Sequence, residues 1–131
     1  MQLLIGFAVI LLDQFSKWLL VDQGVFNQGI GWGFLAAQPV LSLLIVGVAS
    51  IGVIAWVVRM WQSWGTVERL GGMLLLSGLF SNTFDRLVRG AVVDPLTIGS
   101  WFPHFNLADC AIVVGLIVLL VQSSISTRTI G

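Results

Sequence analysis

The amino-acid sequence predicts an all-α polytopic membrane protein with four transmembrane helices and a small extracytoplasmic platform of extended or β structure. Composition carries much of this prediction: of 131 residues, 57% are hydrophobic and 9% are charged, whereas soluble domains carry about 25% charged residues. In addition, four apolar stretches approach the ~20 residues that a spanning helix needs. The length indicates one domain, residues 1–131.

The four helices are predicted from these apolar stretches in chain order. The first contains Asp13 and Lys17 within its apolar run, and the second starts at Pro39 and carries no charge before Arg59. The third and fourth also contain polar residues. The segment 22–38 is expected to form the extended or β platform. The predicted helix bounds are about 2–21, 39–60, 69–87 and 105–123.

Charge balance and cysteine content exclude two classes of function. Six basic and six acidic residues cancel, so the chain lacks the basic surface that binds nucleic acid. Its single cysteine, Cys110, excludes an intramolecular disulfide and a multi-cysteine metal site. We therefore expect no nucleic-acid partner and no metal, and we interpret Cys110 as a small apolar side chain of the fourth helix.

The orientation is predicted with both termini in the cytoplasm, although three basic residues then lie on each side of the membrane. Lys17 and Arg86 on the outer side stand beside carboxylates and are interpreted as site residues. This leaves Arg89 as the exception to the positive-inside rule. The tryptophans agree with two interfacial belts: Trp56, Trp61 and Trp64 on the inner side, and Trp18, Trp32 and Trp101 on the outer side.

This topology gathers polar residues at the outer ends of three helices. The sixteen residues from Arg69 to Asp85 rise by about 24 Å, which is short of the ~30 Å hydrocarbon core. An ionised side chain at that depth costs at least ~2.5–3.5 kcal/mol, so it must be paired or protonated, and such groups indicate a functional site. The residues on this side include Asp13, Asp22, Asp85, Asp94, Asp109, Asn27, Asn82 and Asn106.

The same residues also have purely structural interpretations. Asn106 is a good N-cap for the fourth helix, with Asp109 three residues later. Asp94 precedes a proline and is by itself an ordinary turn residue. Asp13 and Lys17 are four residues apart, so they share a helix face and can neutralise each other.

Four motifs follow one another along the chain, and their order and spacing are specific although each motif alone is weak. They fit the patterns D-Q-x-[ST]-K, N-x-G-x-[AG]-[FW]-[GS], G-x-x-x-N-x-x-D-R with G-x-V-V-D, and F-P-x-F-N-x-A-D. Together they resemble the bacterial lipoprotein signal peptidases, the signal peptidase II family. The motifs occur here as Asp13–Lys17, Asn27–Gly33, Gly78–Arg86 with Gly90–Asp94, and Phe102–Asp109.

The resemblance implies an aspartic endopeptidase without a cofactor, whose catalytic dyad is Asp94 and Asp109. Two neighbouring carboxyl groups suit this chemistry, because one can hold a proton while the other activates a water molecule. The resemblance also implies a set of residues that support the dyad, hold loops or bind substrate: Asp13, Lys17, Asn27, Gly29, Asn82, Asp85, Arg86, Asn106 and Ala108.

The resemblance further implies a diacylglyceryl-modified prolipoprotein as substrate, cut just before the lipidated cysteine. The enzyme would be a multi-pass monomer of the bacterial inner (cytoplasmic) membrane, in contact with membrane lipid, with its active site towards the outer leaflet. Two alternatives stay open: a small proton- or ion-coupled carrier and a non-catalytic helical assembly factor. The carrier predicts polar residues continuing to the inner side, whereas the fourth helix is apolar from Ala111 to Val121.

Two positions differ from the family's pattern. Pro95 follows Asp94 where phenylalanine is usual, and Ser81 precedes Asn82 where glycine is usual. Proline pushes the preceding residue towards extended conformations, so we expect an extended backbone at Asp94. Neither difference removes a side chain of the predicted site.

Overall fold

The computed structural model describes residues 1–30 and 34–129, with the side chains described as far as residue 125. Trp32 and its neighbours in the second motif, residues 31–33, lie outside the described residues. The protein is mostly helical. Its helices are α1 (Gln2–Leu19), α2 (Pro39–Met60), α3 (Thr66–Arg89) and α4 (Leu107–Thr129), and its strands are β1 (Val25–Asn27) and β2 (Val92–Asp94).

Three segments of the described chain are long and apolar enough to cross a membrane. They are Gln2–Leu19, Pro39–Met60 and Leu107–Ile125, with mean hydropathies of 1.3, 2.6 and 2.2. The helix α3 has 24 residues but carries charged residues in its first and last turns, which lower its hydropathy. The helical architecture and the presence of a small sheet are confirmed, and three of the four predicted spans have the required length and composition.

The bounds of α3 differ from the predicted 69–87 at both ends. The helix begins at Thr66, directly after Gly65, and continues to Arg89. It stops there because Gly90 adopts the left-handed conformation, with φ of 73°, and donates its N–H to the carbonyl oxygen of Arg86 at 3.1 Å. Glycine takes up this conformation without a steric penalty. Basic residues in the last turn also favour continuation of the helix.

The helices α3 and α4 pack antiparallel with their backbones in contact. A Cβ atom at Gly78 would lie 2.4 Å from the carbonyl oxygen of Ala108, and one at Gly115 would lie 2.6 Å from that of Gly71. Only glycine fits at such distances, and small residues allow this close approach in membrane helices. The pairing brings the C-terminal end of α3 beside the N-terminal end of α4.

The helix α1 runs parallel to α3. Gly6 lies against Met73 near one end of the pair, and Lys17 contacts Asp85 near the other. The helix α2 contacts α3 near Val57 but leaves most of its apolar surface exposed. The C-terminal ends of α1 and α3 therefore meet the N-terminal end of α4, and the polar residues of all three helices collect there.

The small sheet joins two distant parts of the chain at this same end. β1 pairs antiparallel with β2, and the register places Val25 opposite Asp94 and Asn27 opposite Val92. The prediction placed the platform within 22–38 alone and was incomplete, because its second strand comes from the segment after α3. Two strands that exchange backbone hydrogen bonds satisfy polar groups that neither could satisfy alone.

Candidate active site

Asp94 is the last residue of β2 and is buried, with 3% of its surface exposed. Its Oδ1 accepts a hydrogen bond of 2.6 Å from the side-chain amide of Asn106, and its Oδ2 accepts one of 3.1 Å from Asn27. Burial raises the pKa of Asp94 to about 6, although the amide of Asn27 opposes the shift, and the negative charge of Asp109 adds to it. The extended backbone expected before Pro95 is present, since Asp94 belongs to a strand.

Asp109 lies in the first turn of α4. Its Oδ1 accepts a hydrogen bond of 2.8 Å from the side-chain amide of Asn82, and its Oδ2 accepts one of 3.2 Å from the backbone N–H of Asn106. In return, Oδ1 of Asn106 accepts the backbone N–H of Asp109 at 2.8 Å. This reciprocal pair is a helix cap of the kind expected from the sequence, so the structural interpretation of Asn106 and Asp109 also applies.

Asn106 therefore contacts both aspartates. Its side chain reaches Asp94 and its backbone reaches Asp109, while the two carboxylates also interact electrostatically. Each of these carboxylates accepts two N–H donors, which is the environment that a buried carboxylate needs. Such a pair can hold a single proton and supply both an acid and a base.

Lys17 lies at the centre of a second polar group, and its side chain has no exposed surface. Its Nζ is 2.6 Å from Asp13, 2.7 Å from Asp85 and 3.0 Å from Oδ1 of Asn82. A buried cation is stable only when its charge is paired and its protons are accepted. The predicted Asp13–Lys17 pair is present, but Lys17 also joins α1 to α3.

Asp13 and Asp85 connect this group to the elements that carry Asp94 and Asp109. Oδ1 of Asp13 accepts the backbone N–H of Ala108 in α4 at 2.8 Å, and its Oδ2 accepts the hydroxyl of Ser81 at 2.6 Å. Asp85 contacts Arg89, and its Oδ2 accepts the backbone N–H of Val93 in β2 at 3.5 Å. The serine that replaces the usual glycine is thus part of the network.

Arg86 holds the loop that follows β1. Its Nη2 donates to the carbonyl oxygen of Gly29 at 2.8 Å, and Gly29 in turn donates its N–H to Oδ1 of Asn27 at 2.9 Å. Because Asn27 also contacts Asp94, this chain of bonds positions the Asn27 amide against the carboxylate. Arg86 is close enough to interact electrostatically with Asp94 and Asp109.

Every residue predicted for the site takes part in these contacts, with Gly29 and Ala108 contributing through their backbones. Gln14 was missed: its side-chain amide donates to Asp85 and to the hydroxyl of Ser81, each at 2.9 Å. Its position next to Asp13 in the first motif was a signal for this role.

Cys110 is exposed and does not join the network. In the described part of the chain, no group of three histidine, cysteine or acidic side chains could hold a metal ion.

A cavity of about 360 Å³ opens beside Asp94. It is lined by residues of the platform and of the segment before α4, and Asp94 forms part of its wall. A second cavity of about 400 Å³ lies between α1, α2 and α3, with a mainly apolar lining that includes none of the aspartates. The first cavity is therefore the one associated with the acids. Its lining consists of Val25, Phe26, Asn27, Gln28, Ala36, Asp94, Pro103 and His104.

A comparison with protein families decides the assignment that the motifs suggested. A sequence model described as signal peptidase (SPase) II matches residues 5–125. The chain belongs to the signal peptidase II family. The family predicted from the four motifs is confirmed, and this family consists of peptidases.

Similar proteins and structures agree with this membership. The lipoprotein signal peptidase of Geobacillus thermodenitrificans is 36% identical over 142 residues, covering 91% of this chain and 86% of that protein. That of Neisseria meningitidis is 29% identical over 147 residues, covering 95% and 89%. A solved structure described as a bacterial membrane enzyme matches with a TM-score of 0.83 at 22% identity, covering 98% of this chain and 90% of that one. This last similarity concerns the fold alone.

Proposed function

We propose that the chain is an intramembrane aspartic endopeptidase that removes signal peptides from prolipoproteins, with Asp94 and Asp109 as its catalytic dyad. Membership of the signal peptidase II family supports peptidase activity on prolipoproteins. The observation that carries the dyad assignment is that Asn106 contacts both carboxylates, at 2.6 Å and 3.2 Å. A shared asparagine keeps the two acids as neighbours, and neighbouring acids are what an aspartic peptidase needs.

In the proposed reaction the two carboxyl groups hold one proton between them. The ionised group takes a proton from a water molecule, and the water oxygen attacks the carbonyl carbon of the scissile bond. The protonated group donates a hydrogen bond to the carbonyl oxygen, and a proton passes to the leaving nitrogen as the C–N bond breaks. The pKa of Asp94, raised to about 6, supports a proton being held at mildly acidic pH, where an ordinary carboxyl group is already ionised.

We further propose that the substrate carries diacylglyceryl on a cysteine and is cut just before that residue. Phe15, Trp18 and Leu19 are exposed on α1 at the level of Lys17, which supports an apolar, membrane-embedded surface around the polar cluster. Acyl chains contribute about 0.8 kcal/mol per buried CH₂ on partitioning into a bilayer. A lipid anchor would therefore hold the scissile bond at the depth of the dyad.

The proposal includes α3 as a fourth membrane span. Its 24 residues correspond to about 36 Å, and it contacts α1 from Met73 to Asp85 and α4 from Gly71 to Asn82. A helix packed along two spanning helices would cross the same bilayer. Four spans would place both termini on the same side of the membrane. We propose that this side is the cytoplasm, that the dyad faces the outer leaflet of the inner membrane, and that the enzyme acts as a monomer.

The alternative of an ion-coupled carrier is less well supported. Among the described residues, the buried ionisable side chains are Asp13, Lys17, Asp85 and Asp94, and all of them lie at one end of the bundle. A proton or ion path would need polar groups through the whole depth of the membrane. The cavity between α1, α2 and α3 has a mainly apolar lining instead.

The proposed function can be tested with purified protein in detergent and a diacylglyceryl-modified prolipoprotein. We expect release of the intact signal peptide and a mature chain that begins with the lipidated cysteine, both detected by mass spectrometry. The same preparation in sealed vesicles should show no proton or cation flux. Flux without any cleavage product would instead favour the carrier.

A further inference from the structure

The ammonium group of Lys17 has three hydrogen-bond partners, one for each of its three protons. It contacts Asp13 at 2.6 Å, Asp85 at 2.7 Å and Oδ1 of Asn82 at 3.0 Å. A lysine ammonium carries three N–H donors and no acceptor. Each proton therefore has one acceptor, and the group has no water-exposed surface through which to exchange partners.

The side chain of Asn82 stands between Lys17 and Asp109. Its Oδ1 accepts from Lys17 at 3.0 Å, and its Nδ2 donates to Oδ1 of Asp109 at 2.8 Å. The oxygen and nitrogen ends of an asparagine amide are similar in shape, so the partners decide which end faces which way. Because an ammonium can only donate, it selects Oδ1 and turns Nδ2 towards Asp109.

We infer that Lys17 is a positioning residue that fixes the orientation of the Asn82 amide and so keeps an N–H donor on Asp109. The inference rests on the proposed aspartic peptidase function and deepens it. Without the ammonium group, the amide can rotate and present Oδ1 to Asp109. Only a protonated carboxyl group can donate a hydrogen bond to that oxygen. The dyad would therefore keep its shared proton to higher pH.

A test must separate the loss of the donor on Asp109 from a change of charge around it. The charged groups that face Asp109 are Lys17 and Asp13 of α1, Arg86 of α3 and Asp94 of β2, and Cys110 of α4 is a titratable neighbour. Combining Lys17→Met with Asp13→Asn keeps the net charge of the cluster, but Lys17 interacts with Asp109 more strongly than Asp13 does, so the paired change is also made in Asn82→Leu, where no amide can rotate. The Oδ1 of the new amide at position 13 can still accept the backbone N–H of Ala108, and its Nδ2 can donate to the hydroxyl oxygen of Ser81.

The experiment is a pH–rate profile for cleavage of a diacylglyceryl-modified prolipoprotein. The variants are Asp13→Asn/Lys17→Met, Asn82→Leu and the combination of all three, each checked for folding by thermal unfolding. We expect the paired variant to lose at least about tenfold in rate at the wild-type optimum and its profile to move to higher pH. Asn82→Leu should move the profile in the same direction. The triple variant should lie within about twofold of Asn82→Leu in rate and should share its pH profile, because coupled residues are not additive.

An unmoved pH profile in the paired variant overturns the inference. A lower rate alone does not support it, because a smaller folded fraction lowers the rate at every pH without moving the profile. A triple variant whose profile moves further than that of Asn82→Leu, or whose losses are fully additive, overturns it as well, because Lys17 then acts on the dyad through charge and not through the Asn82 amide. If Asn82→Leu does not fold, Asn82→Ala replaces it in both comparisons. Failure of the wild-type protein to cleave overturns the proposed function together with the inference, whereas a cleaving wild type with an unmoved variant profile overturns the inference only.

Discussion

The side-chain amide of Asn106 donates a hydrogen bond of 2.6 Å to Oδ1 of Asp94. The same residue caps α4, because its Oδ1 accepts the backbone N–H of Asp109 at 2.8 Å. Capping and support of the dyad thus reside in one side chain. The two roles use different atoms, since the oxygen serves the cap and the nitrogen serves Asp94, so substitutions can separate them.

Asn106→Ser should keep the cap and lose the contact with Asp94. Serine is as good an N-cap as asparagine, whereas alanine costs about 0.5–2 kcal/mol at that position. We expect Asn106→Ser to unfold at a higher temperature than Asn106→Ala, while both lose at least about tenfold in cleavage rate. Thermal unfolding in detergent and the cleavage assay measure the two effects. Wild-type activity in Asn106→Ser would show that the bond to Asp94 has no role in catalysis.

The stability of Asp94→Asn relative to wild type should increase with pH. Burial raises the pKa of Asp94 from 3.8 to about 6, so the folded state binds this proton more tightly than the unfolded state does. The stability from this proton is fully present below pH 3.8 and is lost as pH rises through 6. Asparagine has no proton to lose, so the free energy of unfolding of the variant relative to wild type should rise with pH. The amide itself has a cost that does not depend on pH, because both oxygens of Asp94 accept N–H donors and the NH₂ group of asparagine would face one of them.

The measurement is thermal unfolding of Asp94→Asn and wild type at pH 4 and pH 8. The stability of Asp94→Asn relative to wild type should be higher at pH 8 than at pH 4. Asp22→Asn is the control, because Asp22 is exposed and should show no such difference. An equal difference at both pH values would mean that the carboxyl of Asp94 is not held in a desolvated environment.

Lys17→Met alone should destabilise the protein strongly. It leaves the buried carboxylates of Asp13 and Asp85 without the cation that they share, and breaking a buried ion pair costs about 3–5 kcal/mol. Adding Asp13→Asn should recover much of that loss, because one of the two carboxylates is then neutral. Thermal unfolding of the single and double variants tests this, and a Lys17→Met variant as stable as wild type would contradict a buried charge cluster.

Cleavage should depend on the lipid of the substrate. A peptide with the same sequence around the cut but an unmodified cysteine should be cut very poorly, because it lacks the acyl chains that hold the bond at the depth of the dyad. Initial rates on matched lipidated and unlipidated peptides measure this dependence. Comparable rates on both would remove the anchoring argument and leave the peptidase assignment in place.

Local features of the structure could be predicted from the sequence. The uncharged run after Pro39 predicts α2, and the four motifs contain every residue of the predicted site. The sheet could not be predicted fully, because β1 pairs with a strand of three residues, Val92–Asp94, and such a pairing depends on contacts between distant parts of the chain. The interpretation of the platform as a local structure of 22–38 was incomplete for this reason.

The partners of Lys17 show the same limit within the site. The spacing of four residues predicts its contact with Asp13, and the structure has that contact at 2.6 Å. Its contacts with Asp85 and Asn82 arise only when α1 packs parallel to α3, and no sequence spacing encodes that register. Sequence reasoning therefore found most residues of the network, although it missed Gln14, and it predicted only the contacts that lie within one helix.

The most direct test of the proposed dyad is cleavage of a diacylglyceryl-modified prolipoprotein by Asp94→Asn and Asp109→Asn, with Asp22→Asn as the matched control. All three remove one carboxylate on the same side of the bundle, but Asp22 is exposed and makes no contact with the dyad. We expect each dyad variant to remain folded and to lose at least about 10²-fold in rate, while the control keeps wild-type activity. A folded Asp94→Asn or Asp109→Asn variant that kept more than about a tenth of the wild-type rate would contradict its role as a catalytic acid.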